Sequence, residues 1–359
     1  MNKCDYYSLA IKKFIDFSSN DPTSSIAKEH GIIGLTRLLM CMDSLNLDLE
    51  ETLFVAMPDF TYTRNPSRWE AGFPYGCIIS LGKTSPLFIP IDFRPNCCGV
   101  ILVKLSGDAR DADYYVKRYK ELLCKKQEIN KTDFNRRNHF FGVYLDIQNK
   151  EYYGLIHGSF SFAKEQLYVE KNLILGENAN TFEAIGSKIT YLFGDSAERY
   201  YEQYLQLEKK TAHLREEIAE FLFPHSDIVF HKIHEGFLNN NVILLGAYAD
   251  INSFSCPIML SAESSLPLVN IEVAIDLMKG EKIFCAPHGG GYSLMNVRSA
   301  SRVSGNEYIL EYTNGSKMIT DNIIDLPFQY RGNVINVWCN QYKKGHACKE
   351  LFPLFNFKI

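Results

Sequence analysis

With 359 residues, 46% of them hydrophobic and 22% charged, the chain has the composition of a globular protein that buries a sizeable core. A formal net charge of -4 argues against broad, non-specific binding of nucleic acid, which draws on clustered Lys and Arg, so any RNA contact is expected to be local. Ten cysteines show neither a disulfide framework nor a metal-knuckle spacing, no apolar run approaches membrane-spanning length, and the first residues do not read as a signal peptide, so the expected compartment is the reducing cytoplasm.

Along the chain, Tyr6 to Phe17 carries apolar residues at helical spacing, and 26–45 continues as a second helical stretch interrupted by Gly31 and Gly34. An apolar segment, Leu87 to Pro90, and a strand-like run, Val100 to Lys104, flank the pair Cys97-Cys98. The stretch 110–129 reads as a helix with Tyr115, Tyr119 and Leu122 on one broad face; its Lys117, Arg118 and Lys120 read as a solvated face rather than a nucleic-acid surface. Phe140 opens a β-type segment. The longest helix is expected over 196–223, with Ser196 as N-cap, Glu198 in the first turn and Pro224 as its stop. Strands dominate thereafter, with a hairpin turn starting at Ser304, and the whole reads as α+β.

The residues able to carry chemistry stand at the ends of short strands. Cys98 ends an apolar segment, His139 follows Asn138 and opens another, His157 closes Tyr-Tyr-Gly-Leu-Ile, and His231 closes Asp-Ile-Val-Phe. A single histidine in such a place is usually a hydrogen-bonded core residue, and a lone cysteine is usually small core filler. Four such placements alongside His288 make coincidence a poorer explanation. His288 directly precedes Gly289, Gly290 and Gly291, a run whose backbone freedom lets a phosphate approach the imidazole.

In their order, these blocks resemble the RtcB-type RNA-splicing ligases. The resemblance runs through Ala56-Met-Pro-Asp59, Gly72-Phe-Pro-Tyr-Gly76, Cys98-Gly-Val, Asn138-His-Phe, His157-Gly-Ser, the His231 region, Gly246-Ala247, His288-Gly-Gly-Gly and the closing segment to Lys358. It implies mixed β-sheets forming a central core flanked by helices, in one domain over 1–359, with a helical segment 1–50 and a catalytic core 51–359. It implies Cys98, His139, His157 and His231 as metal ligands and His288 as the residue that becomes guanylated. Asn138, Phe140, Ser261, Gly289 and Lys358 would contact the nucleotide. The implied cofactors are GTP and manganese, the implied substrates RNA ends, and an archease-like activator is a partner by resemblance only. On donor softness alone, one thiolate and three imidazoles would suit zinc; an open site handling phosphate oxygens favours manganese.

Departures from the family pattern keep two readings open. Pro95 stands where an aspartate ligand is expected, leaving Asp92 or Cys97 as substitutes, and Thr61 replaces a histidine. Gly142 replaces a glutamate, Leu244 and Leu245 replace Arg-Lys, and Tyr292 replaces an arginine that would grip phosphate. The first reading is a divergent ligase joining an RNA 3′-phosphate or cyclic phosphate to a 5′-hydroxyl through a GMP-histidine. The alternative is a metal- and nucleotide-binding protein that has lost RNA sealing.

Overall fold

The computed structural model describes residues 3–125, 134, 139–160, 179–261, 264–278, 281–304 and 307–358. Its architecture is mixed α+β, with several β-sheets flanked by helices. Among the described residues no helix is long and apolar enough to cross a membrane. The largest sheet has eleven strands in the order Phe14–Asp16, Leu53–Thr61, Tyr75–Ser80, Val242–Leu245, Asp227–Asn239, Cys98–Lys104, Glu151–Gly158, Phe140–Asp146, Gly345–Phe357, Leu266–Ile271 and Phe254–Pro257. Its first pair is parallel, and the remaining neighbours run antiparallel.

Period-two alternation gives this sheet two apolar faces. Phe54, Ala56, Ile101 and Val103 enter one buried cluster, while Val55, Met57, Val100 and Leu102 enter the other. The first face is covered by helices: Leu35, Leu38 and Leu39 come from Pro22–Ser44, and Tyr204, Leu214 and Ile218 from Asp195–Leu222. A smaller sheet of Ala247–Asp250, Glu281–Pro287 and Ile275–Met278 covers the second face with Tyr248, Cys285 and Ile283. The candidate site lies on this second face, where the two sheets meet.

The helix expected over Tyr6 to Phe17 is shorter, Lys3–Lys12, because Phe14, Ile15 and Asp16 leave it to pair with Phe54, Val55 and Ala56. The second helix begins earlier than its apolar spacing suggested, at Pro22, because Asp21 caps it. Ala112–Lys125 buries Tyr115, Tyr119 and Leu122, as the helical face required; 126–129 lies outside the described residues. The long helix runs Asp195–Leu222 with Gly194 at its N-cap position. Ser196 lies inside it, its hydroxyl donating to Phe193 O at 2.9 Å, so the expected cap does not hold. Val297–Ser304 and Glu307–Tyr312 pair antiparallel, the hairpin expected there; the turn residues between them lie outside the described set.

Asp21 fastens the start of the second helix to the rim of the site. Its carboxylate accepts from Thr23 N at 3.0 Å and Ser24 N at 3.2 Å, and it also meets the buried Arg331 guanidinium at 2.9 and 3.0 Å. Arg331 directly follows the Phe328–Tyr330 strand and donates as well to Phe60 O at 2.6 Å. Asp21→Ala therefore removes a cap, typically worth about 1 kcal/mol, and strips a buried cation of its counter-charge, a change that costs about 3 kcal/mol or more. Denaturant unfolding is expected to show Asp21→Ala destabilised by about 4 kcal/mol or more in total, with Asp21→Asn, which keeps the cap, losing less. Equal stability of both variants and wild type would contradict this anchoring role.

Candidate functional site

Strand register decides which side chains meet. Val100 pairs with His157, and His157 pairs with Phe140, so these residues share the second face, with Cys98 two positions along the strand from Val100. Cys98 Sγ lies 3.2 Å from His139 Nε2 and 3.5 Å from His157 Nε2. A further histidine, His234, completes the group: ligand atoms of Cys98, His157 and His234 all lie within 4.8 Å of one another. All four side chains are buried. A thiol and several imidazoles at such separations form a donor set that can hold a metal ion. Burial, together with neighbouring charge from His288, His157 and His139, lowers the His234 pKa well below the ordinary histidine value, so its ring is neutral, the form that ligates. Its Nδ1 is buried with no hydrogen-bond partner among the described residues, a further mark of a donor waiting for an acceptor.

His231, expected as a ligand, is not part of this group. It pairs with Ile101, which belongs to the opposite apolar face, and its ring is engaged by the long helix: Arg215 Nε lies 3.2 Å from Nε2, and Glu216 Oε1 lies 3.2 Å from Nδ1. Burial and Arg215 lower its pKa to about 4. Three residues apart, His231 and His234 differ in face parity, and the ladder is further broken between Ile233 and Glu235, where Glu235 pairs with Cys98. His234 sits at that irregularity, a bulge of the kind that re-aims a side chain. Sequence reasoning missed it because Asp227 to Glu235 has no clean apolar alternation to show which of its two faces meets the site; the only signal was a second histidine of opposite parity in the same strand.

The adjacent cysteines divide by face. Cys97 belongs to the helix-covered core, where burial pushes its thiol up to about 12, while Cys98 faces the histidines. Asp92 is no substitute ligand either, since its carboxylate accepts from Thr190 N at 2.6 Å. Arg215 braces the turn from behind, donating to Cys97 O at 3.0 Å.

His288 stands beside this group, its ring 5.0 Å from that of His234 and 4.9 Å from that of Tyr75. It follows the strand Glu281–Pro287 and is held by Asp59, whose Oδ2 lies 2.6 Å from His288 Nδ1 and accepts from Gly289 N at 2.9 Å. Asp59 is fully buried at the end of Leu53–Thr61, on the same alternation as Val55 and Met57. Gly289 is required: its φ is +101°, and a Cβ there would lie 2.5 Å from Met259 O. One cavity brings Cys98, His139, His157, His234 and His288 together with Arg64, Arg68 and Glu235. Arg68 and Glu235 form a buried ion pair at 2.5 Å.

The expected nucleotide contacts are more scattered. Asn138 lies outside the described residues. Phe140 is fully buried in the core beneath His157, Ser261 is half-buried with its hydroxyl 2.7 Å from that of Ser264, and Lys358 is exposed beyond the Gly345–Phe357 strand; none of these three lines the cavity. The departures have physical reasons. Leu244 and Leu245 are core residues on opposite faces of the main sheet, and Thr61 donates to Tyr292 O at 2.9 Å. A carboxylate in place of Gly142 would collide with Asn356, whose Oδ1 lies 1.7 Å from the position of a Cβ.

No family model matches the chain, and no curated protein is significantly similar to it.

The geometry sets the ligands apart from their neighbours in sequence. On loading with metal, His234→Ala and Cys98→Ala are expected to weaken binding beyond the roughly 10- to 100-fold typical of an outer-shell partner, while His231→Ala and Cys97→Ala stay within that range. Metal analysis at graded free-ion concentrations checks this. Equal losses for His231→Ala and His234→Ala would contradict the arrangement.

Proposed function

We propose that the protein is an RtcB-like, GTP- and metal-dependent RNA ligase in which His288 is the nucleophile that becomes guanylated. The observation that carries this reading is the pairing of His288 Nδ1 with the buried Asp59 at 2.6 Å, beside a cysteine-histidine cluster in one cavity. With its proton held on Nδ1 by the carboxylate, the ring keeps a lone pair on Nε2. Nε2 then attacks the α-phosphorus of GTP, a nitrogen–phosphorus bond forms, and pyrophosphate departs. Asp59 stabilises the cationic ring and fixes its orientation, the part a carboxylate plays toward a catalytic histidine elsewhere. Cys98, His157 and His234, with His139 touching the thiol, would hold a metal ion, which would supply charge to neutralise the phosphate oxygens. Manganese is the ion we favour, for the oxygen chemistry of the reaction, although the donors themselves are soft enough for zinc.

Arg64 and Arg68 line the cavity and offer positive charge that the positions of Leu244, Leu245 and Tyr292 lack. Arg68 is already neutralised by Glu235, so Arg64 is the guanidinium better placed to meet phosphate. The alternative reading, metal and nucleotide binding without RNA sealing, is favoured by the core burial of Leu244 and Leu245, which precludes a phosphate grip from that strand.

Incubation with radiolabelled GTP and manganese tests the proposal. Wild-type protein is expected to acquire an acid-labile GMP label that transfers to RNA ends. His288→Ala should abolish the label, and Asp59→Asn should slow its formation about a hundredfold or more. Persistent labelling of His288→Ala would overturn the mechanism; a label that never reaches RNA, or a wild-type protein that binds metal but never labels, would favour the binding reading.

A further inference from the structure

The mouth of the metal cavity is lined by aromatic rings that the chemistry at its floor does not use. Tyr292 from the strand Tyr292–Leu294 pairs directly with Tyr330 of Phe328–Tyr330, and Phe328, two residues before Tyr330, projects from the same face of its strand. The three rings contact one another, Tyr292 to Phe328 at 4.8 Å and both Tyr292 and Phe328 to Tyr330 at 6.0 Å. Each is only half-buried, in a molecule whose other large aromatic clusters are largely core. Behind them Tyr62 is fully buried against Tyr292, and Arg331 ties the Phe328–Tyr330 strand to Asp21 and Phe60, so the rings stand on a fixed base. Beside them, the exposed Arg64 guanidinium lies over the Phe328 ring, 5.3 Å from its centroid. All four residues line the same cavity as Cys98, His157, His234 and His288.

Half-buried rings facing a cavity accept flat, polarisable groups, and a guanidinium beside them both stacks and attracts negative charge. In a chain of net charge -4, such a local combination of cation and rings is the arrangement that meets a single-stranded polynucleotide, whose bases stack while its backbone needs one nearby positive group. We propose that Tyr292, Phe328, Tyr330 and Arg64 form a stacking cleft for an unpaired nucleobase at the end of a single-stranded RNA, holding the nucleotide whose phosphate is presented to the metal cavity. The inference rests on the proposed nucleotidyl-transfer reading for its choice of ligand. It assigns Tyr292 a role of its own: the position exchanges an arginine's grip on phosphate for a ring's grip on a base. Recognition by stacking tolerates any base, so the cleft selects single-stranded ends rather than a sequence.

The test uses the full-length, manganese-loaded protein and two fluorescently labelled oligoribonucleotides of equal length and charge, both ending in a 3′-phosphate, one of them abasic at its last nucleotide. Anisotropy titrations at low salt are expected to show wild type binding the intact strand about tenfold more tightly than the abasic one, the size of one stacked base. Phe328→Leu and Tyr330→Leu, which keep an apolar side chain on the strand, should erase that preference; metal content equal to wild type certifies that the variants fold. A wild type that binds both strands equally, or binds neither, overturns the cleft, as do folded variants that keep the preference. Labelling of wild-type His288 by GTP is read separately. Label without base preference sinks the cleft alone, and base preference without label sinks the proposed chemistry while supporting the cleft.

Discussion

A buried carboxylate holds the site together. Asp59, at the end of an interior strand, reaches across to His288 Nδ1 and Gly289 N, and so joins the main sheet to the loop that leaves the smaller one. Fully enclosed, a carboxylate is tolerable only with donors of this kind around it. The same bond fixes the histidine's tautomer, sets its ring beside His234, and leads the glycine run past the cavity toward Tyr292. The cavity floor and the aromatic rim both depend on where that loop lies.

The cysteine-histidine group follows from pairing parity rather than from proximity in sequence. Cys98, His157 and Phe140 share a face because their strands pair in register, and His234 joins them from an irregular stretch of its own strand. Strict alternation from His231, whose ring meets the long helix, already sets position 234 on the opposite face, and the break between Ile233 and Glu235 brings Glu235 to that face as well. Alternation within one strand thus turns His234 toward Cys98, while His231 and Arg215 join the long helix to the back of the sheet.

Much of this was legible in the sequence, and the limits of legibility have physical causes. Cys98, His157 and His288 stand out because polar residues at the ends of apolar runs are conspicuous, and the long helix shows itself by its spacing and by Pro224. His139 meets the thiol as its position at a strand start suggested. The choice of His231 over His234 fails because the two histidines lie on opposite faces of one strand, and which face meets the site is decided by tertiary pairing that apolar periodicity does not record. The expected cap at Ser196 fails for a related reason: its hydroxyl is taken by Phe193, one turn back in space. Tyr292, Phe328 and Tyr330 could not be grouped beforehand, since only the pairing of two short, distant strands brings them to one opening. Conversely, burial of Leu244 and Leu245 turns an apparent loss of charge into a packing requirement of the central sheet.

X-ray absorption at the zinc edge of the zinc-loaded protein addresses the metal centre most directly, because sulfur and nitrogen scatter distinguishably whatever the downstream chemistry. The arrangement of Cys98, His139, His157 and His234 predicts one sulfur at about 2.3 Å and imidazole nitrogens at about 2.0–2.1 Å, with the sulfur contribution absent in Cys98→Ala. A first shell of oxygen and nitrogen without sulfur in the wild-type protein would contradict it.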